Sequence, residues 1–195
     1  MEIINCIMPE WNKDNYMINT KTIFRFLTIL WMIIIFSFSA RTGTVSTGDS
    51  HNVGIFIGST FIPGFDSWNE QRQISFAKKI DHPVRKTAHA SEYAVLGFLG
   101  AGASVFIKKY KKDKNIENRT VADTGIKYIY IFMSSRYRTS WLLGTFYAAS
   151  DEFHQIFVAG RSGQVTDVLI DSAGVLVGVV VFYCLSAVWK RHVRM

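Results

Sequence analysis

The apolar residues of this chain fall in long blocks, not in short alternating runs. Residues 23–36 read IFRFLTILWMIIIF and residues 175–183 read VLVGVVVFY, with almost no polar stripe in either. A helix that crosses a bilayer needs about 20 mostly apolar residues. The blocks at 22–39, 87–107 and 168–189 meet or approach that length. A fourth, at 139–158, does so if the acidic residues at its end are tolerated. A soluble helical bundle would carry a polar face on each helix. The pattern therefore predicts an all-α integral membrane protein, a bundle of four transmembrane helices.

The intervening segments complete the plan. Residues 1–21 are polar, with Pro9, and read as a weakly ordered cytoplasmic segment. Ser37 and Ser39 before Ala40 resemble a small-residue cleavage site, but the long leading segment and Arg25 inside the apolar run favour a retained helix. Residues 40–84 form the longest outer segment, polar at first and then broken by Gly and Pro, with a helix expected over 67–80 at the interface. The second span is expected to start after Pro83. Residues 108–138 form a basic loop, and 190–195 a basic tail. The membrane domain thus covers 22–189.

Charge fixes the orientation. The chain has 22 Lys and Arg against 15 Asp and Glu, a formal net charge of +7. With the N-terminus inside, 15 of the 22 cations lie inside, nine of them in the 108–138 loop. That is the distribution expected of a multi-pass protein of the bacterial cytoplasmic membrane with both termini cytoplasmic. The run KKYKKDK at 108–114 then reads as a lipid-contacting loop and not as a nucleic-acid surface. The two cysteines, Cys6 and Cys184, form no paired spacing, so neither a disulfide framework nor a cysteine metal site is indicated.

Placed on this topology, the ionisable residues converge. The first span ends outside at Ser37 and Ser39, and the second begins outside with Arg85, Lys86, His89, Glu92 and Tyr93. The third ends outside with Asp151, Glu152, His154 and Gln155, and the fourth begins outside with Asp167 and Asp171. Arg161 lies in the turn between those last two. Spacings of three and four put Arg85, His89 and Glu92 or Tyr93 on one helix face, Asp151 with His154 and Gln155 on another, and Asp167 above Asp171. The expectation is a polar cluster at the outer face of the bundle. Ionisable groups inside a membrane are costly and mark functional sites.

Several chemistries fit these residue types. Arg85, Lys86 and Arg161 can grip a phosphate or carboxylate. His89 or His154 beside Glu92, Asp151 or Glu152 can serve as a general acid or base. His89, Asp151, Glu152 and His154 are metal-ligand types without an established spacing such as HExxH, so no metal and no cofactor is predicted. Ser37, Ser39 and Ser150 lack a nucleophile motif. The alternative without chemistry is a set of ion pairs that holds short helices together.

FSFS at the end of the first span, VRKTAHASEYAVLGFL at the second and YAASDEFHQIFVAGRSGQVTDVLIDSAG across the last two resemble the VanZ-like family. The resemblance covers roughly 31–178 and is most specific over its last third. Ala159 departs from it, standing where a proline often precedes Gly-Arg. The resemblance implies a small bacterial membrane protein of the cell envelope, associated with low-level resistance to the glycopeptide teicoplanin, and supplies no reaction. The positions that match the family's motif are Ser37, Ser39, Arg85, Lys86, His89, Glu92, Tyr93, Asp151, Glu152, Gln155, Arg161, Asp167 and Asp171. By residue type His89, Glu92, Asp151 and Glu152 are the acid–base candidates, and Ser39, Arg85, Lys86, Tyr93, Gln155, Arg161, Asp167 and Asp171 the ligand-binding candidates. The partners expected are the bilayer itself and an envelope lipid or cell-wall precursor. The readings kept open are an envelope protein without established chemistry, a membrane enzyme acting on a lipid-linked or phosphorylated substrate, and a structural subunit.

Overall fold

The computed structural model describes residues 10–105 and 135–192. Among them every regular element is helical. Helix α1 spans Glu10–Ser39, α2 Gly43–Phe61, a 3-10 turn Phe65–Ser67, α3 Glu70–Val105, α4 Ser135–Gln155 and α5 Val165–His192. Among the described residues two stretches are long and apolar enough to cross a membrane, Thr22–Ser39 in α1 and Val165–Trp189 in α5. Ile29 and Ile33 on α1, with Leu169, Val177 and Leu185 on α5, are exposed. Such apolar surface suits contact with lipid.

Helix α3 is the axis of the fold and packs against each of the other four. Its closest partner is α5, and small residues bring the two backbones together. Gly174 and Gly178 of α5 back onto Ala90 and Ala94, and Gly97 of α3 backs onto Val175. A Cβ at any of the three would collide with the facing main chain. Where burial of apolar surface gives little drive between helices, such close approach supplies the packing attraction. The core around this seam contains Ile35, Tyr93, Leu96, Tyr137, Val175, Val179 and Phe182. Trp31 donates to the Glu92 carbonyl at 2.9 Å and Tyr147 to the Met32 carbonyl at 2.7 Å, which fixes α1 on α3 and α4.

The structure departs from the sequence expectation between residues 40 and 86. The polar opening RTGTVSTGDSHN does not stay irregular: most of it enters α2, whose buried face is Gly43, Ser50, Gly54 and Gly58. The expected 67–80 helix and the second span are one helix, α3, which runs through Pro83. A proline inside a helix removes a hydrogen bond and costs about 3 kcal/mol. Here α2 lies alongside this part of α3, with Gly54 against Ala77 and the Ser50 hydroxyl bonded to Asp81. Packing of one helix on the other offsets the break. Helix α1 likewise starts at Glu10, inside the segment expected to be weakly ordered. Most of the expected basic loop, 106–134, lies outside the described residues.

Candidate functional site

One stripe of α3 supplies His82, Arg85, Lys86 and His89, which follow the three-and-four spacing of a single helix face. Helix α4 ends at Gln155, and Gly160, at φ 74°, turns the chain back toward α5. That turn places Arg161 beside the last residues of α4, and the first turns of α5 bring Asp167 and Asp171. These segments enclose a cavity of about 240 Å³. Its wall draws together Arg85, Lys86, His89, Glu152, Gln155, Arg161, Asp167 and Asp171 from the residues expected to bind or react.

The other four stand elsewhere. Ser39 is fully buried at the end of α1 with its hydroxyl unpartnered, and does not line the cavity. Glu92, Tyr93 and Asp151 lie outside the lining as well. Asp151, 3% exposed, receives the Gln155 amide at 3.1 Å. The buried Tyr93 hydroxyl lies near Asp151 without reaching hydrogen-bond geometry. His154 turns away and packs on the Phe36 ring at 4.7 Å between centroids. Ser37 and Ser150 donate to carbonyls of their own helices, Ile33 and Tyr147. Neither is set up as a nucleophile.

Gln155 organises the wall. Its amide nitrogen faces Asp151 at 3.1 Å and Glu152 at 3.3 Å, and its amide oxygen accepts from Arg161 at 3.2 Å. The second Glu152 oxygen accepts the backbone N–H of Gln164 at 3.0 Å, at the start of α5. A carboxylate there also meets the positive end of the helix dipole. Arg161 makes two further bonds, to the carbonyls of Arg41 at 2.9 Å and Phe38 at 3.3 Å. It forms no ion pair with a carboxylate among the described residues. Partial burial, and then the positive charge of Arg85, hold the Arg161 guanidinium below its ordinary range, while Asp151, Glu152 and Glu92 oppose that. Asp167 pairs with Lys86 at 2.8 Å and not with Arg161.

Five lining residues, His82, Gly160, Ser162, Gln164 and Ile170, are not among the candidates that the sequence singles out. His82 lies three residues before Arg85, but Pro83 between them reads as a helix start. Gln164 acts mainly through its backbone, which no side-chain motif would reveal. Among the described residues, no three His, Cys, Asp or Glu side chains group closely enough to hold a metal ion. The arrangement can hold an anion through Arg85 and Arg161, offer His89 for proton transfer, and accept donors at Glu152 and Asp171.

The family model described as VanZ/LLP1 matches residues 24–187. No curated protein and no solved structure matches the chain.

Proposed function

The chain belongs to the VanZ/LLP1 family, and on that premise we propose that it is a multi-pass protein of the bacterial cytoplasmic membrane whose cavity holds the polar head of a cell-envelope molecule. In this reading α1, the second half of α3, α4 and α5 are the four transmembrane helices. The cavity opens to the outer face, and both termini are cytoplasmic. The two strongly apolar helices and the cations at 108–138 support that orientation.

The observation that carries the reading is a cavity lined mainly by charged and polar side chains between helices of an apolar bundle. Ion pairing alone does not account for it. Lys86 and Asp167 answer each other, whereas Asp171 is buried with both oxygens unpartnered. A ligand that fills this cavity would occupy the membrane surface where a glycopeptide acts, which links the site to teicoplanin susceptibility.

The test is susceptibility at matched membrane level. Cells producing the chain should tolerate several-fold more teicoplanin than cells without it, and Arg85→Ala should abolish the difference. An undiminished effect in Arg85→Ala would remove the cavity from the explanation.

An enzymatic reading has one observation in its favour: His89 lines the cavity, as Glu152 does, and its Nδ1 is buried without a partner. Of the four acid–base candidates, only these two line the cavity. Its test is turnover of a phosphorylated envelope lipid by purified protein, lost in His89→Ala.

A further inference from the structure

The cavity carries charges of both signs, and they are unequally satisfied. Lys86 and Asp167 form a close pair at 2.8 Å. Among the described residues Arg85 pairs only with Asp81, at 3.9 Å, whose other oxygen accepts from the Ser50 hydroxyl. Arg161 adds a second cation close enough to repel Arg85. Three of its bonds go to Arg41, Phe38 and Gln155, which leaves spare donors from the five of a guanidinium. Two cations that face one cavity, one with its carboxylate at 3.9 Å and the other with none in ion-pair range among the described residues, form a site for an anion.

Asp171 presents the opposite case. It is 1% exposed, lines the cavity, and neither of its oxygens meets a donor. The carboxylates of Glu152, Asp151, Asp167 and Glu92 act on it, while Lys86 is held by Asp167 at 2.8 Å. A buried acceptor among acceptors is costly until a donor reaches it. The carboxylates do not converge as a metal site would require. An ammonium suits the position better, because it binds through directed N–H bonds and needs no full coordination sphere.

We propose that the cavity selects a zwitterion, a ligand whose protonated amine meets Asp171 and whose phosphate or carboxylate, a few bonds away, meets Arg85 and Arg161. The proposal rests on the reading of the cavity as a head-group site and gives that head group its chemistry. A purely anionic ligand leaves Asp171 unanswered, and a simple amine leaves the two arginines facing each other. A volume of about 240 Å³ accommodates a group of this size. An aminophosphate lipid head and a free solute share the chemistry.

The experiment is calorimetry on the full chain in a non-ionic maltoside detergent, with phosphoethanolamine, N-acetyl-phosphoethanolamine, ethanolamine and inorganic phosphate as probes. Phosphoethanolamine should bind at least tenfold more tightly than each of the others. Asp171→Asn should remove the preference for phosphoethanolamine over phosphate. The comparison among probes on the unaltered chain stands even if the variant does not fold. A second arm, mixed nanodiscs of phosphatidylethanolamine and phosphatidylglycerol, separates the sources. Enrichment of phosphatidylethanolamine around the protein assigns the head group to a lipid, and binding of the soluble probe without enrichment assigns it to a solute. Equal affinity for phosphoethanolamine, its acetylated form and phosphate would overturn the zwitterion while leaving an anion site. No probe binding together with no lipid enrichment would overturn the head-group reading itself.

Discussion

Gln155 stands between Arg161 and the carboxylates of α4, so the cation of the α4–α5 turn reaches the acidic end of the helix through a neutral amide. The amide oxygen accepts from Arg161 at 3.2 Å while the amide nitrogen faces Asp151 and Glu152. Truncating it strips a partner from three charged groups at once. Leaving buried polar groups unsatisfied costs about 1–3 kcal/mol. Gln155→Ala should therefore lower the melting temperature of the purified protein, and Gln155→Asn, with its shorter reach, should fall between it and the wild type.

The Lys86–Asp167 pair makes a sharper prediction. Its side chains are 26% and 28% exposed, so the pair contributes on the order of 1 kcal/mol. Asp167→Lys should destabilise by placing two cations together, and Lys86→Asp with Asp167→Lys should recover most of the loss in a thermal melt. The double exchange of Arg161 with Asp167 should recover nothing, because those two do not pair.

Packing of α3 on α5 is predicted to be intolerant of even one methyl group. A Cβ at Gly178 would meet the Ala94 carbonyl, and one at Gly174 the Ala90 carbonyl. Overpacking of this kind costs about 1–3 kcal/mol. Gly178→Ala should reduce the monodisperse fraction recovered in detergent, while Gly48→Ala, where nothing lies within 4 Å, should not.

Gly43 meets Gly160 where the α1–α2 turn touches the α4–α5 turn, and its N–H donates to the Ala159 carbonyl at 3.0 Å. A side chain at Gly43 would push the second turn away and carry Arg161 with it. Gly43→Ala should weaken binding of an anionic probe several-fold, with a smaller effect on helix content by circular dichroism.

The sequence made the helical character and the two strongly apolar spans legible, because each depends on local composition. The close α3–α5 seam was not: Gly174 and Gly178, four residues apart, share a face, but that spacing names no partner helix. Arg85 and His89 were visible on one face, though Glu92 and Tyr93, read onto that same face, lie outside the cavity lining. What could not be read were features decided by the partner element. Pro83 reads as a helix start until α2 lies beside it, and His82 was lost with that error. Asp151 and Glu152 are neighbours, yet only Glu152 reaches the cavity, because helix rotation sends the other toward Tyr93 and Gln155. His154, three residues from Asp151, turned out to rest on Phe36, a contact between helices that no spacing within α4 implies.

The bonds from Arg161 to the carbonyls of Arg41 and Phe38 span 120 and 123 residues of chain. Carbonyls at a helix end have no partner within their own helix. During synthesis from the N-terminus, α1 and the turn after it emerge with the Phe38 carbonyl bonded only to the nearby Arg41 N–H, and the arginine that reaches the carbonyls of both Phe38 and Arg41 is made only when four-fifths of the chain exists. The first helix to be inserted is thus among the last to be finished. A nascent chain arrested before residue 161 would hold α1 on α3 through Trp31 but leave its C-terminal end without this clasp.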